Sequence, residues 1–395
     1  MHISSLKKIG GLILAISATF AALPAFASTP RIGFWAGESI TPCLGGDPVS
    51  CPRNLSSYTP QLWNLLKTNN SFLYVDLIYG SDFGPAISGV NQRSDGLTLM
   101  QQANANGVPV SVWITVPISY GTFANAQNGQ TIQAAVKAFK GWQVQNNLQV
   151  DQAVLDLEFP LGDQVLTEFL QGNLAGAENL LLDNLDPSTQ CTAVATYRDT
   201  ITWAHQNGLK LSGSPLPFSL ADVANGNMAL QNALNIVNFP PFGYDQLYLQ
   251  SYRAEGIDLG SGYVASTYQS MQQYFGAKGQ VSLGSTGLPP YNTVDPVVTD
   301  VRMLAGLGAT TIPIFDLDGS VSAYGLNGIQ QIFNAAQNPM SGAELANATQ
   351  LSLIGSATLQ AYDVLQKFAA TATPLVSFLD GHAQQPNAYP NGCGN

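Results

Sequence analysis

The chain has 395 residues, 45% of them hydrophobic and 10% charged, enough for one large domain or two of ordinary size and too apolar for general disorder. Acids outnumber bases by 25 to 14 and the net charge is −11, which argues against a nucleic-acid partner, because phosphate binding needs a surplus of Lys and Arg on some face. With so little charge, the polar surface must come from Asn, Gln, Ser, Thr and Gly, a composition suited to neutral ligands such as sugars. Three His and four Cys leave little material for a zinc site, so neither a metal nor a cofactor is expected.

In chain order, the first segment reads as an address rather than as fold. Lys7 and Lys8 precede an apolar run over 9–23, and Ala25-Phe26-Ala27 supplies a small-x-small cleavage site. Residues 1–27 therefore read as a signal peptide. The run is shorter than the ~20 residues that a membrane anchor, the alternative, requires. No later stretch is long and apolar enough to span a bilayer, so the mature chain is expected to be soluble, free of the membrane, and secreted or periplasmic. In an oxidising compartment the four cysteines allow three pairings. Cys43 with Cys51 and Cys191 with Cys393 is the favoured one, because only the first pair is close in sequence.

Eight segments then read as buried strands: 31–36, 72–79, 109–116, 152–158, 210–214, 246–252, 280–285 and 311–317. Most are rich in Val, Ile, Leu and aromatic residues. Helical patterns lie between or after them, for example over 60–67, 130–145, 192–207, 296–306 and 328–337. Strand alternating with helix implies a parallel sheet covered by helices, and eight such units over about 310 residues predict a (β/α)8 TIM barrel. The alternative, an open doubly wound sheet, finds no G-x-G-x-x-G and no phosphate-binding loop after the first strand. The barrel domain is expected over 28–340. Residues 341–395 follow as a C-terminal helical extension, with its helix over 343–370, and a Gly/Pro/Asn-rich tail.

The fourth strand reads Asp151-Gln-Ala-Val-Leu-Asp156-Leu-Glu158. Alternate strand residues share a face, so apolar Ala153, Leu155 and Leu157 turn toward the covering helices while Val154, Asp156 and Glu158 face the barrel interior. Two interior acids at the C-terminal end of a barrel strand lie where catalytic groups sit and are costly unless paired or used. Close carboxylates cannot both ionise freely, so one holds its proton toward neutral pH, as a general acid requires. By the same parity Tyr248, Gln250 and Tyr252 share the interior face of the sixth strand.

These two strands resemble glycoside hydrolase family 18, the chitinase and endo-N-acetylglucosaminidase group. That family carries D-x-x-D-x-D-x-E on its fourth strand, where this chain has D-x-x-V-x-D-x-E over 151–158. The segment from Leu247 to Arg253 is similar to its Met/Gln-x-Tyr-Asp/Asn motif. The resemblance implies Glu158 as proton donor, Asp156 as the assisting carboxylate and Tyr252 as the contact to a substrate acetamide. It also likens the aromatic first strand and the acidic end of the eighth to the family's, with Trp35, Trp113, Gln250, Tyr248 and Asp316 as candidate substrate contacts and an oligo- or polysaccharide as partner. The chain departs from the family pattern at Val154, which stands where an acid is usual. Its third strand lacks S-x-G-G, and its eighth has no Trp between Ile312 and Phe315. Trp35 or Trp113 is the expected substitute as a stacking platform.

Other signals are discounted. Asp316-Leu-Asp318-Gly319 lacks the third acid and the closing Glu of a calcium loop. His205 sits where a helix C-terminus favours a His, and no Ser/His/Asp set is visible. Trp63, Trp142 and Trp203 read as core, and the insertion over 165–185 as helical turns shaping the rim. The leading reading is a secreted chitinase-like glycosidase that cleaves β-1,4 N-acetylglucosamine polymers by substrate-assisted, retaining hydrolysis. A non-catalytic sugar-binding or inhibitor barrel and a muramidase-like peptidoglycan hydrolase are the alternatives.

Overall fold

The computed structural model describes residues 29–37, 53–160, 187–237, 243–253 and 257–379. Eight parallel strands lie side by side: β1 (Arg31–Ala36), β2 (Phe72–Ile78), β3 (Val110–Thr115), β4 (Ala153–Leu157), β5 (Leu211–Pro215), β6 (Leu247–Gln250), β7 (Gly279–Ser282) and β8 (Thr311–Ile314). Each pairs with its sequence neighbour and β1 pairs with β8. A parallel bridge between Leu283 and Ile314 closes the ring. The fold is the expected (β/α)8 barrel.

The covering helices are α1 (Pro60–Thr68), α2 (Asp95–Asn106), α3 (Gly129–Gln145), α4 (Pro187–Gln206), α5 (Ser219–Asn225), α6 (Ala229–Ala233), α7 (Ser261–Phe275), α8 (Val294–Gly306) and α9 (Leu317–Gln337). Local chemistry explains their ends. Thr59 accepts from the Leu62 N–H and Pro60 opens α1, a cap worth about 1 kcal/mol. Asp316 caps α9 by accepting from the Gly319 N–H. His205 closes α4 and meets the Asp245 carboxylate at 2.9 Å.

Alternation along the strands builds two cores. Leu73, Val75 and Leu77, Val110, Val112 and Ile114, and Ala153, Leu155 and Leu157 face outward into the layer between sheet and helices. Trp35, Phe72, Tyr74, Trp113, Phe123, Val154 and Tyr248 fill the barrel interior instead. Polar side chains share that interior and satisfy one another: Gln152 donates to the Tyr248 hydroxyl at 2.9 Å and accepts from Ser212 at 2.6 Å.

Beyond β8 lie α10 (Gly342–Ala348) and α11 (Leu353–Leu379). Leu365, Phe368 and Ala369 of α11 join Phe218, Leu230, Ala233 and Leu234 in a separate apolar cluster, which also receives Phe159. The C-terminal helix thus packs beside the chain leaving β4. No helix among the described residues is long and apolar enough to cross a membrane. The signal segment, the insertion over 165–185 and the tail after 379 lie outside the described residues. Cys191, on α4, is disulfide-bonded; Cys43, Cys51 and Cys393, and with them the expected Cys43–Cys51 and Cys191–Cys393 pairings, lie outside the described residues.

Candidate active site

The site forms where β4 and β6 open at the C-terminal end of the barrel. The strands stop sooner than their sequence pattern suggests, β4 at Leu157 and β6 at Gln250, so Glu158 and Tyr252 stand just beyond the sheet. The exit of β4 is fixed by the loop after β3. Ala124 donates to the Asp156 carbonyl at 2.8 Å, and Glu158 donates its N–H to the Ala124 carbonyl at 3.2 Å. Asn125 and Asn128 hold that loop by side-chain bonds to its backbone.

Asp156 points into the interior and is almost fully buried. A side-chain hydrogen bond joins it to Glu158. The Gln250 amide donates to its Oδ1 at 2.6 Å and to the Ser214 carbonyl at 3.1 Å, which ties β4, β5 and β6 together at the mouth. Burial pushes the Asp156 carboxyl well above the usual carboxylate range; the charges of Glu158 and Asp76 push it further, and the Gln250 bond opposes them. Burial and the neighbouring acids thus oppose ionisation of Asp156 beside Glu158.

Tyr252 is half-buried two residues beyond Gln250. Its ring stacks on Phe315 with centroids 5.6 Å apart, and Phe315 meets the edge of Trp113 at 6.2 Å. Residues on either side of Tyr252 are anchored away from the mouth. Ser251 bonds the Thr267 hydroxyl at 2.7 Å, and Arg253 binds buried Asp300 at 3.0 and 3.1 Å and Asp258 at 2.8 Å. Gly284 makes room for the ring: a Cβ there would lie 2.8 Å from two of its carbons.

The expectation of a tryptophan stacking platform needs correction. Trp35 and Trp113 are each 2% exposed. Trp35 donates to Ser282 and stacks on Tyr74, and Trp113 packs against Trp35, Phe123 and Phe315. Tyr248, 3% exposed, bonds Gln152 deeper in the barrel. These three side chains form the floor beneath the carboxylates and offer no open face to a sugar. Asp316, expected as a substrate contact, instead spends its side chain on the α9 cap. Of the expected contacts, Gln250 touches Asp156 directly.

One interior acid was not singled out from the sequence. Asp76 lies on the interior face of β2, above Phe72 and Tyr74, and is fully buried. Thr115 donates to its Oδ1 at 3.0 Å. Burial raises its pKa to about 6 against the opposing charge of Arg53. Its signal was the parity already used for β4: a lone acid in the apolar run over 72–78, sharing a face with Phe72 and Tyr74. A second pair, Asp318 and Tyr58, closes the β8 side, where the Tyr58 hydroxyl donates to Asp318 at 3.0 Å. Among the described residues no group of three or more His, Cys, Asp and Glu side chains is arranged to hold a metal ion.

No family model matches the chain, and no curated protein does. Solved structures are similar at the level of the barrel. The glycoside hydrolase domain of PgaB from Bordetella bronchiseptica aligns at 10% identity over 71% of this chain and 93% of that one, with a TM-score of 0.44. A chitinase from Rhizomucor miehei aligns at 10% identity over 76% and 99%, with a TM-score of 0.44. The HMG-CoA lyase from Brucella melitensis aligns at 11% identity over 87% and 99%, with a TM-score of 0.41. Hydrolases and a lyase stand together here, so these likenesses assign no activity.

Proposed function

We propose that the protein is an exported glycoside hydrolase acting on β-1,4-linked N-acetylglucosamine polymers by a substrate-assisted, retaining route. The observation that carries this reading is the hydrogen-bonded Asp156–Glu158 pair, fixed at the barrel mouth by Gln250. A conventional retaining or inverting pair of carboxyls is separated by about 5 Å or more, with the reacting carbon or a water between them. Carboxyls in hydrogen-bond contact leave no such gap. They fit a division of labour in which the acid comes from the protein and the nucleophile from the substrate.

Glu158 donates its proton to the glycosidic oxygen as the bond to the anomeric carbon breaks. The carbonyl oxygen of the substrate's own acetamide attacks that carbon and forms a cyclic oxazolinium. Asp156 accepts from the acetamide N–H and stabilises the positive charge that develops there, more strongly in the transition state than in the ground state. Tyr252 donates its hydroxyl to the acetamide oxygen and holds it beneath the ring. Water, deprotonated by Glu158, then opens the intermediate and restores the acid with retention of configuration.

Turnover of acetylated and deacetylated oligomers by wild type and Asp156→Ala tests this route. The acetylated substrate should be cleaved far faster by wild type, and Asp156→Ala should lose kcat by roughly 10²-fold or more with little change in sugar binding. Equal rates on the two substrates would favour a muramidase-like or conventional two-carboxylate mechanism.

A further inference from the structure

The loop between β3 and α3 is fastened to the carboxyl pair through one residue, Ala124. It forms a parallel bridge with Leu157, the residue between the two acids. Its N–H donates to the Asp156 carbonyl at 2.8 Å, and its carbonyl accepts from the Glu158 N–H at 3.2 Å. β4 ends at Leu157, so Glu158 leaves the sheet with this bond on its N–H. Whatever fixes Ala124 therefore fixes where the Glu158 side chain starts.

The Asn128 side chain fixes Ala124 from both flanks. Its amide nitrogen donates to the Phe123 carbonyl at 2.7 Å and to the Tyr120 carbonyl at 2.8 Å, and its Oδ1 accepts from the Asn125 N–H at 3.0 Å. Phe123 and Asn125 are the chain neighbours of Ala124. Asn128 stands at the N-cap of α3, where an Asn side chain usually bonds the first turn of its helix. Here it makes no cap bond, and the amide serves the loop instead. The loop needs that hold. Thr122, a β-branched residue, has a φ of 56°, a conformation such residues keep only where their surroundings impose it. Gly121 leaves room for the amides: a Cβ there would lie 3.0 Å from the Asn125 nitrogen and 3.2 Å from that of Asn128. From α4, the buried Tyr197 hydroxyl donates to the Asn125 carbonyl at 3.0 Å.

We propose that Asn128 is a positioning residue for Glu158: its side chain, withheld from the α3 cap, clamps the loop on both sides of Ala124 and so sets the point from which Glu158 reaches the substrate. This rests on the reading of Glu158 as the acid, and its first test needs no substrate.

The experiment is amide hydrogen exchange, read residue by residue, on the full chain and on Asn128→Ser. A serine can cap α3 but is too short to reach Tyr120 and Phe123. The Ala124 and Glu158 amides should exchange roughly tenfold or more faster in the variant, while Leu155 within β4 keeps its wild-type rate and the melting temperature stays near native. On N-acetylglucosamine oligomers, kcat should fall by roughly tenfold or more with little change in KM. Unchanged exchange at Ala124 and Glu158 overturns the proposal, as does faster exchange there with kcat unchanged. Exchange that rises equally at Leu155 marks a residue that only supports the fold and overturns it too. Should Asn128→Ser fail to fold, Asn128→Asp keeps the volume and the bond from Asn125, loses the two donated bonds, and is read in the same way. Faster exchange confined to Ala124 and Glu158, with no cleavage of any N-acetylglucosamine oligomer by wild type, upholds the clamp and overturns the glycosidase reading instead.

Discussion

Gln250 on β6 donates its amide to Asp156 on β4 across 2.6 Å, reaching over the intervening β5 and bonding the Ser214 carbonyl as it does so. A neutral donor aimed at one oxygen restrains the carboxyl plane beside Glu158. It also favours the charged form of Asp156, in opposition to burial and to the neighbouring acids.

Gln250→Leu should therefore act on both rate and pH dependence. With the donor gone, the pair holds its proton more tightly. The alkaline limb of kcat/KM, where the general acid is lost as pH rises, should move to higher pH. The rate at the optimum should fall by roughly tenfold or more as Asp156 loses its orientation. A pH–rate profile of both proteins checks this, and an alkaline limb moving to lower pH contradicts it.

Gly284→Ala tests the placement of Tyr252. A Cβ at that position would lie 2.8 Å from the tyrosine ring, so the ring must leave its place on Phe315. A loss of kcat of about tenfold or more is expected, with a near-native melting temperature. A variant with unchanged turnover would remove Tyr252 from the site.

Asp222 supports the packing of the C-terminal helix. It is fully buried and accepts from the backbone N–H groups of Leu230 and Gln231 at 3.1 and 2.8 Å. Those groups open the short helix α6 against which α11 packs. Asp222→Ala strands both donors and should destabilise the fold by about 1–3 kcal/mol. Thermal or urea unfolding reads this directly, and an unchanged midpoint would contradict it.

The barrel was legible because eight apolar strands and their helices repeat without a competing signal, and parity alone placed Val154, Asp156 and Gln250 on the interior face. Depth was not legible. Parity tells which face a side chain takes but not its height in the barrel, which depends on the stagger between strands. Trp113 pairs with Val154, one interior layer below Asp156, and Trp35 pairs with Tyr74, below Asp76. The expected platforms are consequently floor. Asp316 was expected at the site because the acidic end of the eighth strand resembles that of family 18, but β8 stops at Ile314, a helix starts at Leu317, and Asp316 serves as its cap. The Arg53 cluster left no local trace, since its partners Asp82 and Asp95 stand 29 and 42 residues away.

The identity of the proton donor is the centre of this account, and cleavage of N-acetylglucosamine oligomers by wild type and Glu158→Gln, read by product mass, tests it most directly. Wild type should release shorter acetylated oligomers. Glu158→Gln should bind them, keep its fold and lose turnover by roughly 10²–10⁴-fold. Turnover by Glu158→Gln within a few-fold of wild type, or no release of product by wild type, would contradict it.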